Sequence, residues 1–413
     1  MSGVMNPLIY NIDFLKLYSG RIITNIGDSF YFIASMWLVY EVSGSGFLTG
    51  VASAAFFLPT TLQFAIGPLV DRADIRSLLG ASQFVQAVVV LLVPISIWAG
   101  VFSVWIILAI LPTLAFLNQV TGPAQTKALQ RITSESQYTS ASSAFATASE
   151  AIDFVANAIG GLLIAFIGVT AVYLVDSLTF VLAMVLFLSI RDLDVETDSS
   201  PNNTLDLSGY LEDLREGFEF LRSSVIFPLM IPAIVANLAI GATAAILPAF
   251  AAEHGSAISY GFLYSAMGAG MLIGSIVTPF LKERRSGITV IWTFGCSTIA
   301  WVLSMIVPWT VVTVVLFGIA WISPGIYNVI EDTILLKTVP EDTIGRVRSF
   351  TMSISMLSLP IGSLLGGMVV SVIGTRPTLL ALSAGFGFVA VFFAAHSELR
   401  RLDSLTAIKH TAG

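Results

Sequence analysis

The 413-residue chain carries 26 Asp and Glu against 19 Lys and Arg, so only 11% of it is charged while 56% is hydrophobic. A soluble protein of this length needs about 25% charged residues to clothe its domains, which excludes water as the main solvent. The net charge of −7 excludes the basic face that nucleic-acid binding requires. A single cysteine, Cys296, allows no intrachain disulfide, and the separated His254, His396 and His410 make no metal-ligand cluster. Crossing a bilayer as a helix takes roughly 20 apolar residues, with every backbone group bonded internally. On that measure the chain is an all-α integral membrane protein of twelve spans, at 14–41, 46–70, 76–99, 103–125, 138–166, 170–190, 225–251, 258–281, 287–307, 310–336, 345–372 and 375–396. The start, MSGVMNPLIYNIDFLK, lacks a basic stretch and a small-residue cleavage site, so no cleavable leader is expected. With both termini cytoplasmic, every Lys and Arg except Arg376 falls on the inner side, as the positive-inside rule asks.

Span one holds Arg21 and, seven residues on and about 10 Å deeper, Asp28. Thr24, Asn25, Asp28, Tyr31 and Ser35 make one polar stripe at helical spacing, suited to lining a cavity. An ionisable group inside a span is costly, so Asp28 either works on a proton or substrate, or is a structural carboxylate capped by a neighbouring helix. Glu41, at the outer rim, reads as structural. Between spans two and three the chain runs GPLVDRADIR, and Asp71 at a helix end can latch onto a neighbouring helix N-terminus or Arg. Gly67, Asp71, Arg72 and Arg76 then form a cytoplasmic gate; alternatively Arg72 and Arg76 are plain inside anchors. On span five Glu150 and Asp153 lie three apart, with Asn157 continuing their face. Two such carboxylates do not both stay ionised in a low dielectric, so they hold a proton or share a cation, unless Glu150 bonds a Ser or Thr across a helix interface. Asp176, placed near the outer end of span six, reads as structural.

Residues 191–224 form the longest hydrophilic stretch. A polar, turn-rich segment, DLDVETDSSPNNT, precedes Leu207, Tyr210, Leu211, Leu214, Phe218 and Leu221 at helical spacing, an amphipathic helix at the cytoplasmic interface or a simple tether. This divides the chain into a six-helix bundle at 1–190, a linker at 191–224, a second bundle at 225–398 and a cytoplasmic tail at 399–413. An internal repeat supports the division: a shift of 206 residues lays Gly160, Gly161 and Gly168 on Gly366, Gly367 and Gly374. On span ten Glu331 and Asp332, beside Tyr327 and Asn328, lie about one turn from the cytoplasmic end. They either pair with Lys337, Arg346 or Arg348 as an inner gate or form a solvated helix end. No Lys or Arg other than Arg21 lies deep in a span, so the interior offers little to hold an anion; with the family resemblance given below, that implies neutral, zwitterionic or cationic substrates. Tyr31, Trp37, Phe56, Phe57, Tyr264, Trp301, Trp321 and Tyr327 either wall a permissive cavity or simply pack.

The 67–76 loop resembles the signature of the major facilitator superfamily, with Gly67, Leu69, Asp71, Arg72 and Arg76 in place and Asp74 where a glycine is common. The segments GRIITNIGDSFYFIASMWLVYEVSGS, GPAQTKALQRITSESQYTSASSAF and VPEDTIGRVRSF resemble the drug:proton antiporter branch that includes macrolide efflux pumps. Where that branch carries G-P-x-x-G-G on span five, this chain reads Ala156-Asn157-Ala158-Ile159-Gly160-Gly161, which lacks the Gly-Pro pair. The resemblance implies two pseudo-symmetric six-helix bundles, substrate bound between them near mid-membrane, and alternating access. It implies a secondary transporter of the cell membrane, not an enzyme, exporting an amphiphilic small molecule against protons or Na⁺. A monomer in the lipid bilayer is expected, with no cofactor and no nucleic-acid partner. The alternatives are a dedicated exporter of one metabolite, such as a siderophore or lysophospholipid, and a lipid scramblase.

Overall fold

The computed structural model describes residues 8, 10–62, 70, 73–191, 193, 221–222, 226–253, 256–340 and 343–407, without the side chains at 62, 146–147, 149–151, 153–154, 158, 345–346 and 349. The described helices are α1 Ile12–Ser43, α2 Gly46–Phe57, α3 Ile75–Trp98, α4 Val104–Ile132, α5 Glu135–Leu188, α6 Ile226–Glu253, α7 Ala257–Leu281, α8 Ser286–Ile306, α9 Thr310–Ala320, α10 Ile322–Thr338, α11 Ile344–Ile373 and α12 Thr375–Ala395. Ten stretches are long and apolar enough to cross a membrane, α9 and α10 together making one, and Gly46–Thr61 is a shorter apolar helix. Gly168, at φ 80° and ψ 158°, breaks α5 into two limbs. With the two limbs of α5 counted apart, the described helices match eleven of the twelve expected spans, and the expected span 46–70 is described as helix only as far as Leu62 and at Val70. The amphipathic helix expected within 191–224 lies outside the described residues apart from its margins.

Local chemistry sets the helix ends. Asp74 caps α3: its backbone is extended, at φ −65° and ψ 116°, and its carboxylate accepts the Ser77 amide at 2.9 Å. The turn therefore needs no left-handed residue, and the aspartate that departs from the family signature works as an N-cap. Those Ser77 hydrogen bonds hold the Asp74 carboxyl below its ordinary range. Gly168 and Gly374, equivalent in the 206-residue repeat, share one backbone state, the latter at φ 84° and ψ 173°. Only glycine adopts that state readily, so each turns the chain sharply between two antiparallel helices.

The chain divides into two compact units, Met1–Ser43 with Ala55–Leu205, and Gly44–Ala54 with Asp206–Gly413. In the first unit α1 and α3 pack on α5, and Phe14, Leu17, Leu79, Ala128 and Phe187 form a buried cluster. In the second, α6 packs on α11, α8 on α12 and α7 on α10. Its short segment Gly44–Ala54 reaches α11 through small residues. A Cβ on Gly50 would stand 2.7 Å from both Gly367 Cα and the Ser363 carbonyl, and the Ser53 and Ser363 hydroxyls are 2.9 Å apart. Large apolar side chains point outward on most spans, among them Phe84, Leu92, Leu178, Val185, Ile299 and Val391. Trp98, Trp105 and Trp309 are exposed at helix ends remote from the Lys- and Arg-rich loops, where an interfacial aromatic belt sits.

Candidate functional site

The first unit contains a polar cluster built around α1. Asn118 of α4 donates its side-chain amide to Asp28 Oδ2 at 2.6 Å, and Asp28 is half-buried. The polar stripe continues inward on either side: Thr24, Asn25, Tyr31 and Ser35 are all buried, Tyr31 completely. Ser35 shares a 2.6 Å hydrogen bond with Tyr173 on the second limb of α5. From that same limb Asp176, fully buried, comes down over Gly27 of α1. A Cβ on Gly27 would lie 2.5 Å from Asp176 Oδ1 and would also meet the Thr179 hydroxyl, so the bare glycine is what admits the carboxylate. Asp176 acts electrostatically on Asp28, and Tyr31 faces both. Two acidic residues from different helices and a phenol are thus electrostatic neighbours within one unit.

Several expected site residues fall at definite places around this cluster. Asn157, on the first limb of α5, is buried, while the side chains of Glu150 and Asp153 lie outside the described residues although their backbone is helical. Gly160 on that limb approaches Phe30 and Ile33 of α1, with about ordinary van der Waals spacing for an added Cβ. Arg21 donates to Gln125 Oε1 at 2.8 Å. Gly67, Asp71 and Arg72 lie outside the described residues. Arg76 donates to the Ile190 carbonyl and, at 3.1 Å, to that of Arg191. Lys16 reaches the Ser189 carbonyl at 2.5 Å, Arg131 the Leu193 carbonyl at 3.2 Å, and Asp13 accepts the Arg191 amide at 3.2 Å. Basic side chains of α1, α3 and α4 thereby satisfy the carbonyls at and just beyond the end of α5, where the helix dipole is negative.

In the second unit Glu331 is half-buried and Asp332 exposed on α10, and the side chain of Arg346 lies outside the described residues. Tyr327, one turn from Glu331 and fully buried, donates its hydroxyl to the Leu229 carbonyl. Lys337 reaches toward the tail and donates to the Leu405 carbonyl at 2.6 Å. Trp301 and Trp321 are fully buried, edge to face with Phe317 and Phe386. Sequence reasoning missed Asn118, and it placed Asp176 near the outer end of its span. Asn118, Thr121 and Gln125 recur at i, i+3 and i+7 on α4, which is a legible polar face. Asp176 lies eight residues beyond the Gly168 break, about 12 Å along the helix, so it stands deep in its span rather than at the outer end.

The profile of the family described as transmembrane secretion effector matches residues 2–412. The chain belongs to that family. It is a major facilitator transporter and a multi-pass membrane protein. Among its relatives, macrolide efflux protein A of Streptococcus pyogenes is 22% identical over 95% of this chain and 98% of its own. The multidrug efflux pump Tap of Mycobacterium tuberculosis is 24% identical, with 94% of each chain covered. Among solved structures, a bacterial homologue of the human lysosomal transporter Spinster, crystallised inward-facing and unoccupied, superposes over the full length of both chains with a TM-score of 0.75 at 14% identity. That likeness carries the fold.

Proposed function

We propose that this transporter exports amphiphilic small molecules by proton antiport with alternating access, as a monomer with both termini cytoplasmic. We further assign its two six-helix bundles to 1–190 and 225–398, joined by the linker at 191–224. The observation that carries the reading is Asp28: a carboxylate deep in the first span, half-buried, that accepts the Asn118 side-chain amide. Such a group can be protonated from one side and deprotonated to the other, and its two states can bias a conformational equilibrium. The drug and macrolide efflux activities named for the relatives support an amphiphilic substrate. The scarcity of deep basic residues supports a neutral or cationic one, since Arg21 is bonded to Gln125.

The test is export from cells loaded with ethidium or a macrolide. Wild-type protein should export against a concentration gradient and stop when an uncoupler is added. The triple variant Asp28→Asn, Glu150→Gln, Asp153→Asn, expressed to the same level, should export no faster than cells lacking the protein. Concentrative, uncoupler-sensitive export by the triple variant would sink the proposal.

A further inference from the structure

Asp176 is charged in type, completely buried and poorly solvated by its surroundings. Its Oδ2 has no hydrogen-bond partner among the described residues, and its Oδ1 receives only a long contact of 3.5 Å from the Thr179 hydroxyl. That hydroxyl donates instead to the Asp176 main-chain carbonyl at 2.7 Å. The Tyr31 hydroxyl, also completely buried and facing Asp176, has no hydrogen-bond partner among the described residues either. Unsatisfied buried polar atoms are rare and costly, so two in one place need a reason. Among the described residues the ionisable groups around Asp176 are few. Asp28 and Tyr31 face it from α1, and Tyr173 from its own limb is bonded to Ser35. From α4 only Lys127 and Arg131 are ionisable, and Arg131 serves the α5 end; α3 offers only Arg76, which does the same. On the first limb of α5 the nearest ionisable residues by sequence are Glu150 and Asp153. Arg21 of α1 is bonded to Gln125, so among the described residues an anion at Asp176 would be buried beside a like charge with no cation acting on it, the most expensive arrangement for a carboxylate.

We infer that Asp176 is the residence site of the transported proton and that Asp28 is its access group. This rests on the proton-antiport reading and adds a second residue to it. Asp28, half-buried, takes the proton from water. As its O–H bond breaks, one forms on Asp176 Oδ2, leaving Asp28 anionic and stabilised by the Asn118 amide. The Tyr31 hydroxyl, without a partner among the described residues, is available to donate to an ionised carboxylate. Release runs the same step in reverse, and no further reactant is needed. Gly27 fixes the geometry, because any side chain there would displace Asp176.

Two readouts on purified full-length protein test this. The first is infrared difference spectroscopy at neutral pH between wild type and Asp176→Asn, which isolates one carboxyl. A protonated-acid carbonyl band present in wild type and lost in the variant is expected; identical carboxyl spectra would overturn the assignment. The second is proton release into a weakly buffered, dye-reported solution on adding ethidium. Wild type should release protons, whereas Asp176→Asn should bind ethidium and release none. Normal release from the variant would overturn the assignment. Wild type that binds ethidium without release, yet shows the Asp176-dependent band, would defeat antiport and leave the proton site standing. Should Asp176→Asn not fold, Asp28→Asn replaces it in the infrared arm: the protonated-acid band must shift as its neighbour loses charge, and an unshifted band overturns the pairing.

Discussion

Asp74 replaces a glycine that is common in the loop signature, and its carboxylate receives the Ser77 amide at the start of α3. Removing such a cap typically costs about 1 kcal/mol, so Asp74→Ala should lower the stability of the detergent-solubilised protein by about that much at neutral pH. Because hydrogen bonding to Ser77 lowers the folded-state pKa, the contribution is complete above the unfolded value of about 3.9 and is lost as pH falls through the folded value. Melting curves of wild type and variant should stay a constant distance apart from neutral pH into mild acid and converge only in strong acid. A gap that widens on acidification would contradict the capping role. The candidate site was legible to a different degree at each residue. Asp28 stands out because a carboxylate at that depth has few innocent explanations, and its place on a helical polar stripe is pure periodicity. Asp176 is equally visible as an ionisable residue within a span, but its partner is not. That pairing is made by lateral packing of α5 on α1 over Gly27, and no period along one helix encodes which neighbour it will meet.

At the scale of elements, the spans were readable because each must hide its backbone from lipid and so shows as an unbroken apolar run. Their breaks were readable too, since the expected bounds 166 and 170, and 372 and 375, bracket Gly168 and Gly374. Span five and span six run on as one helix interrupted at Gly168, and only the backbone state of that residue separates them. The 206-residue repeat pairs it with Gly374, and the two glycines have nearly the same φ, 80° and 84°. Neither would meet another atom within 4 Å if given a Cβ, so the cost of a side chain there is conformational alone. Gly168→Ala and Gly374→Ala should each destabilise by about 1–3 kcal/mol, and by similar amounts, in thermal melts. A neutral result at either position would contradict the turn geometry. The missing Gly-Pro pair of span five has a structural counterpart: Ala156 and Asn157 are buried there, and the limb between Glu135 and the Gly168 break is continuous helix.

For the whole molecule, composition pointed to the solvent, since so few charges cannot clothe a water-soluble chain of this length, and the recurring apolar runs pointed to helices. The segment Gly44–Ala54 was not legible: it lies within the first half of the sequence yet packs in the second unit. Hydropathy is blind to that choice, which is made by Gly50, Ser53, Ser363 and Gly367 bringing two backbones together. Function was legible as a class, transport, and left the energy source to a few interior carboxylates. The central claim is that an inward proton gradient drives this transporter through Asp28. Its most direct test uses proteoliposomes of known orientation, an imposed pH gradient, and ethidium or a macrolide as the followed solute. Wild type should accumulate the compound only while the gradient lasts, and Asp28→Asn, folded and inserted equally well, should merely equilibrate it. Gradient-driven accumulation undiminished in Asp28→Asn would contradict the account.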